Sequence, residues 1–250
     1  MRNARLGLVL LLFGWQTGCQ YLFPEFNTPA ADLSDTDAGD AGTGAQTLSG
    51  RVCNLTDVRD YRTCPALAGS YRISVEETRD SVTTDAGGAF TLVTSANLTL
   101  ATVGVSDPLG QRVSTVVRVR LTATGTTQVT LPSVSTAAMQ QLALNAGAPT
   151  DPTRGMMLAY LVNDSGLPVA GVISARIVNA TGPLYDGAAP NELVDAKATS
   201  QGGTVAFFDL PAGQLTLPVS PPAAFLADTF VLPIRSNAVT ISALVLRAQP

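Results

Sequence analysis

Histidine is absent from the 250 residues, lysine occurs once (Lys197) and tryptophan once (Trp15). Without histidine there is no Ser-His-Asp triad, no Cys-His pair and no histidine-ligated metal. Lys197 follows no glycine-rich loop, which excludes a Walker-type phosphate loop. Gly42-Thr43-Gly44 lacks the third glycine of a dinucleotide fingerprint and follows no predicted strand. Charged residues make up 14% of the chain, against about 25% in average soluble chains, too few for a coiled coil or a wholly disordered protein. Fifteen basic residues face 19 acidic ones, so the clustered positive surface that nucleic acid requires is not expected. No cofactor, metal or catalytic site is expected from these residues.

What is present begins at the N-terminus. Arg2 and Arg5 precede an apolar run, Leu6 to Trp15. As a helix these residues would span about 15 Å, half a hydrocarbon core. That length suits the apolar region of a signal peptide. No later segment reaches about 18 uninterrupted apolar residues, so no transmembrane helix is expected. Gln16-Thr17-Gly18-Cys19 then resembles the bacterial lipobox, in which small residues precede a cysteine that is acylated and becomes the new N-terminus. Thr17, Gly18 and Cys19 fit; Gln16 stands where an aliphatic residue is usual. The resemblance implies a signal peptide over 1–18 and lipidation of Cys19. An ordinary signal peptide with a chance cysteine is the alternative. Two or more acyl chains would give stable anchoring. Gln20, rather than aspartate, follows the cysteine. By resemblance to enteric lipoprotein sorting, that implies the outer membrane.

Removing Cys19 from the count leaves Cys53 and Cys64, an even pair suited to an oxidising compartment. A disulfide between them would close a short loop, worth up to about 3 kcal/mol on the chain-entropy account. The rival, a two-thiolate metal site, has no histidine to complete a zinc ligand set.

Residues 19–46 hold Glu25, Asp32, Asp35, Asp37 and Asp40 and no basic residue. They read as a flexible acidic tether with an r.m.s. reach of about 30 Å. Asp35-x-Asp37-x-Gly39-Asp40 is a faint calcium-loop pattern, but Gln46 stands where the bidentate glutamate belongs. Tyr21, Phe23 and Phe26 either sit in the headgroup zone or are merely part of the tail.

From Thr47 the texture turns to short alternating runs with turns every 8–12 residues, which argues for β-sandwiches. Strands are expected at 47–53, 71–76, 90–93, 98–105, 113–121 and 127–131. A linker over 132–153 carries one or two helical turns within Thr136–Leu144, ended by Pro149 and Pro152. A second block has strands at 156–162, 172–178, 205–208, 214–217, 225–234 and 239–246, with a glycine- and proline-rich loop through Pro190. One ring of Phe207-Phe208 should face a core, the other point outward, either toward a partner or beneath segment 218–222. Glu76-Glu77 cannot converge on one face of a strand. Asp57, Asp60, Asp186 and Glu192 read as solvated surface carboxylates.

Particular motifs in both blocks support a resemblance. The first has Gly50-Arg51-Val52, Leu67-Ala68-Gly69 and Thr84-Asp85-Ala86-Gly87-Gly88-Ala89-Phe90. The second has Asp164-Ser165-Gly166-Leu167-Pro168-Val169-Ala170-Gly171, Gly203-Thr204-Val205-Ala206-Phe207 and Leu210-Pro211-Ala212-Gly213. Both resemble the carboxypeptidase-regulatory-like, transthyretin-like family. The resemblance implies an all-β protein with two tandem transthyretin-like or Ig-like sandwiches, 47–131 and 154–250. It also implies modules that accompany other activities rather than performing one. The expected function is a non-catalytic, lipid-anchored envelope protein that binds another envelope component, a protein or a glycan. The alternative is a carbohydrate-binding lipoprotein. The strand face carrying Arg118 and Arg120 is the expected partner contact.

Overall fold

Strict alternation builds the first strands. In Gln46–Asn54 (β1), Leu48 and Val52 are buried while Ser49 and Arg51 are not. In Ala89–Thr94 (β4), Phe90, Leu92 and Thr94 are buried and Ala89, Thr91 and Val93 exposed. Such a pattern fits a sheet with one face on a core and one in solvent. The computed structural model describes residues 45–123, 125–149 and 151–249. The signal segment, Cys19, the three aromatic residues after it and the acidic stretch through residue 44 lie outside the described residues.

The remaining elements of the first block are Arg72–Val75 (β2), Ser81–Thr83 (β3), Leu100–Ser106 (β5), Ser114–Arg120 (β6) and Thr126–Ser133 (β7). Strand β1 lies between β4, antiparallel, and β7, parallel. Gly50 permits the close approach of β1 to β7, since a Cβ there would stand 1.9 Å from the Val129 carbonyl oxygen. The β4-β1-β7 sheet shares a core with the run β6-β5-β2-β3, through Leu48, Phe90, Val129, Leu131, Ile73, Val103 and Val117.

Thr136–Asn145 (α1) follows, one residue longer than the 136–144 segment in which helical turns are expected. Ser135 caps it by accepting from the Ala138 N–H at 3.1 Å. Met139, Leu142 and Ala143 are its buried face.

The second block comprises Arg154–Val162 (β8), Ile173–Ser174 (β9), Thr181–Asp186 (β10), Leu193–Val194 (β11), Thr204–Pro211 (β12), Gly213–Ser220 (β13), Asp228–Ile234 (β14) and Ala238–Val245 (β15). The sheet β14-β13-β9 covers one face of the run β11-β10-β12-β8-β15. Strand β10 occupies part of what reads in sequence as a glycine- and proline-rich loop. The strand expected over 172–178 is reduced to β9.

The two blocks are joined edge to edge. Strand β15 pairs in parallel with β8 through seven residues and with β6 through Ala238–Thr240, making one nine-stranded sheet. In the second block this sheet is buried on both faces. Met157, Ala159, Leu161, Val205 and Phe207 belong to the core against β13 and β14. Leu158, Tyr160, Val162, Ala206 and Phe208 belong to the core that includes α1 and the whole first block. Phe207 and Phe208 are therefore both covered, at 0% and 1% exposure. Phe208 is covered from the side of α1, where it shares a cavity wall with Met139 and Ala143, and not by segment 218–222.

Candidate functional site

Cys53 and Cys64 are joined by a disulfide, with Cα atoms 5.3 Å apart and both residues buried. The segment they close docks on the second block. Asn191, in the left-handed region at φ 54°, is its socket. The Val58 N–H donates to Asn191 Oδ1 at 3.0 Å, and Asn191 Nδ2 donates to the Thr56 carbonyl at 2.8 Å. The Asn191 N–H donates to Asp57 Oδ1 at 3.0 Å. Arg59 pairs with Asp57 at 2.9 Å and donates through Nη1 to the Ala188 carbonyl at 2.7 Å. Tyr61 lies over Tyr160 with ring centroids 4.8 Å apart and donates its hydroxyl to the Gly166 carbonyl at 2.6 Å. Burial pushes the Tyr61 phenol up to about 12, with Arg62 opposing and Asp60 assisting. The deeper Tyr160 is raised further by burial and by Asp57, Asp60 and Tyr61.

The carboxylates read from sequence as solvated have structural work. Asp186 is buried, at 4% exposure. It accepts from the Ser200, Gly202 and Thr204 N–H groups and the Ser200 hydroxyl, fixing the turn before β12. At Asp57, burial opposes ionisation, but the Arg59 hydrogen bonds and the Asn191 N–H outweigh it and hold the carboxyl below its ordinary value. A depressed folded-state pKa gives stability that is complete above the unfolded value, near 4, and is lost as pH falls through the folded value. Asp57→Asn is therefore expected to flatten the acid limb of the stability curve below about pH 4. Denaturant midpoints measured from pH 2 to 6 check it. Glu76 and Glu77 stand in the turn after β2, and not on a strand as expected from sequence: Glu76 pairs with Arg235, and Glu77 accepts from the Thr102 N–H at 2.9 Å through both oxygens.

The two arginines expected as a partner contact are placed differently. Arg118 is half-buried and donates through Nη1 to the Val231 carbonyl of β14 at 3.2 Å, while its buried Nε has no hydrogen-bond partner among the described residues. Burial draws its pKa down, with Glu77 opposing. Its guanidinium thus serves the seam between the blocks. Arg120 is exposed.

A broad surface lies instead on the outer face of β4-β1-β7. Register sets its nine outward positions in three rows: Val93, Thr47, Thr126; then Thr91, Ser49, Gln128; then Ala89, Arg51, Thr130. Most are short and hydroxyl-bearing, so the backbone stands close to whatever lies on the face. The Ser49 and Thr91 hydroxyls are 3.2 Å apart. Most of these residues, with Thr83, Asp85 and Thr122 at the margin, line a shallow concavity of about 1060 Å³. Arg51 is its cation. The alternation of β1, β4 and β7 carried the signal for this face, read in sequence only as evidence for strands. Among the described residues no three acidic or cysteine side chains are grouped so as to hold a metal ion, and no helix is long and apolar enough to cross a membrane.

No family model and no curated protein matches the chain. Solved structures give weak likenesses. The Bacillus anthracis TIE protein is 17% identical, over 82% of this chain and 34% of its own, with a TM-score of 0.28. The chain thus spans about a third of that protein's length. The shaft pilin spaA from Lactobacillus rhamnosus GG (a D295N mutant) is 12% identical, over 82% of this chain and 99% of its own, at TM-score 0.27. GBS52, the minor pilin of Streptococcus agalactiae, is 12% identical, over 82% and 97%, at 0.28. At these scores the likenesses assign neither family nor function.

Proposed function

We propose that this chain is a non-catalytic binding module of the bacterial cell envelope, held to the outer membrane through acylated Cys19. Of its two sandwich domains, over 47–131 and 154–250, the first presents the outer face of β4-β1-β7 to another envelope component. The observation that carries the reading is the row-by-row exposure of Ser49, Thr91, Gln128 and their neighbours over a concavity of about 1060 Å³. From Thr47 to Arg51 this sheet keeps its outer face outside the cores, whereas the second block buries its long sheet on both sides. The tether places the face within reach of the membrane and raises its effective concentration for envelope partners.

A protein partner is favoured over a stacked sugar. Glycan modules commonly lay sugar rings on exposed aromatic side chains, yet Tyr61, Tyr71, Tyr160 and Tyr185 are all buried. Among the described residues, the face itself offers hydroxyls, an amide and one guanidinium.

Three experiments test the proposal. Cys19→Ser is expected to lose acyl mass in intact-mass analysis and to move the protein from the membrane to the soluble fraction. Equal membrane retention would refute the anchor. Thr91→Lys with Gln128→Lys should abolish recovery of the cross-linked envelope partner while circular dichroism is unchanged. Arg120→Ser, on the other sheet, should leave recovery intact. Loss with Arg120→Ser and none with the double lysine variant would move the contact to the β6 face. A glycan array that gave reproducible, face-dependent binding would replace the protein partner with a carbohydrate.

A further inference from the structure

We propose that the cavity between α1 and the second sandwich is a binding site for a small arylalkyl ammonium. The cavity has a volume of about 180 Å³. A cavity of about 150 Å³ lined by apolar side chains takes up benzene, so one six-membered ring with a one-carbon arm matches the space. Its inner wall is apolar: Met139 and Ala143 from α1, Met156 from β8 and Phe208 from β12. Methionine walls adapt their shape to a ring and make favourable sulfur–aromatic contacts.

The mouth is polar and carries net negative charge. Asp151 and Asp209 stand there with Arg154. Arg154 is already held within the chain. Its Nε donates to the Asp209 carbonyl at 3.0 Å and to Asp209 Oδ1 at 3.1 Å, and its Nη2 donates to the carbonyls of Asn179 and Asp209. Among the described residues, the side-chain carboxylate of Asp209 accepts through Oδ1 only, and so does that of Asp151, from Thr153. The two Oδ2 atoms are acceptors left for a ligand. One guanidinium balances one of the two carboxylates, and the second favours a cationic head.

Backbone geometry aims one of these groups. The β8–β12 register shifts between Phe207 and Leu210, a bulge, and within it Asp209 takes φ 57°. A bulge redirects the side chains beside it. Here Phe208 faces the cavity floor while Asp209 stands at the rim. This inference does not depend on the proposed envelope function.

Methionine methyl NMR on the full chain provides the test. The four methionines are Met1, Met139, Met156 and Met157. Met139 and Met156 line the cavity, while Met157 lies in the opposite core and serves as an internal control. Benzylamine is expected to shift the Met139 and Met156 methyls saturably and to leave Met157 in place. Benzoate, of equal size and opposite charge, is expected to do neither. 1-Naphthylmethylamine, with a ring system too large for the space, should also fail. Asp151→Asn, at an exposed position, should weaken benzylamine by roughly two- to fivefold, the worth of one exposed ion pair. Ala143→Leu should abolish binding by filling the floor. Equal binding of benzoate, equal binding of the naphthyl amine, or shifts that spare Met139 would each overturn the proposal. The probe-size and charge series uses the unaltered protein, so the test stands even where Ala143→Leu fails to fold.

Discussion

Phe208→Ala is expected to lower stability by about 3–5 kcal/mol, as much as Phe207→Ala. The two rings are neighbours on β12 and point to opposite faces, so a one-sided sheet would make only one of them costly. Exposure of 0% for Phe207 and 1% for Phe208 puts both in cores. Phe207 packs with Leu217, Phe230 and Leu232 beneath β13 and β14. Phe208 belongs with Leu158, Tyr160, Ile241 and the buried face of α1. Urea titration of both variants reads the pair of effects, with Val93→Ala as the comparison. Val93 points outward from β4 at 55% exposure, and its truncation should change stability by no more than about 0.5 kcal/mol. A Phe208→Ala variant as stable as Val93→Ala would mean that α1 and the first block do not cover that face in solution.

The two-sided burial shows which parts of the fold were legible. In the first block, period-two patterning predicts every strand but the three-residue β3 to within a few residues, because each of β1, β4 and β7 has one wet face. Tyr71, Ile73 and Val75 fall on one buried face for the same reason. In the second block the strands β8 and β12 read Met157-Leu158-Ala159-Tyr160-Leu161 and Val205-Ala206-Phe207-Phe208, runs without alternation. A strand covered on both faces loses its period, so these runs carried the news of a second covering layer. Reading them as ordinary sandwich strands left Phe208 without its true neighbours. Strand β10 was hidden for another reason. Thr181-Gly182-Pro183 has turn composition, and only its pairing with β12 makes it a strand. Gly182, at φ 130°, stands where a Cβ would come 2.7 Å from the Ala206 carbonyl oxygen, so close backbone approach, and not a turn, explains that glycine.

The candidate surfaces divide along the same line. Outward positions of β1, β4 and β7 follow from local alternation, so they could be read from sequence, while the register that sets them in rows around Ser49 is a long-range fact. The role of Asp57 could not. It depends on Asn191, 134 positions away, and no short-range pattern connects them. Arg118 was legible as an outward strand residue, which it is. That β14 of the second block lies over it is a long-range fact.

Removing the disulfide is expected to loosen more than the loop it closes. Cys53→Ala with Cys64→Ala should lower stability by about 3 kcal/mol through the freed unfolded chain alone. The effect on the native state follows from what that loop touches. Between the two cysteines lie Thr56, Val58, Arg59 and Tyr61, and each contacts the second block: Thr56 and Val58 at Asn191, Arg59 at Ala188 and Tyr61 at Gly166 and Tyr160. The cross-link fixes both ends of this segment and so limits the conformational entropy lost when it docks. Without it, docking must order a free chain, and the contacts should open more often. Hydrogen exchange is expected to quicken not only over 54–63 but also at 187–192 and around Gly166, with β4 and β5 unchanged apart from the global loss of stability. Arg59→Ala provides the contrast, since it removes the guanidinium's bonds to Gly187 and Ala188 while leaving Tyr61 and the cross-link in place. Its effect should stay at 187–192. Faster exchange confined to 54–63 in the cysteine variant would show that the loop rests on the second block without holding it, and that the β15–β6 pairing and the Glu76–Arg235 pair suffice to join the two halves.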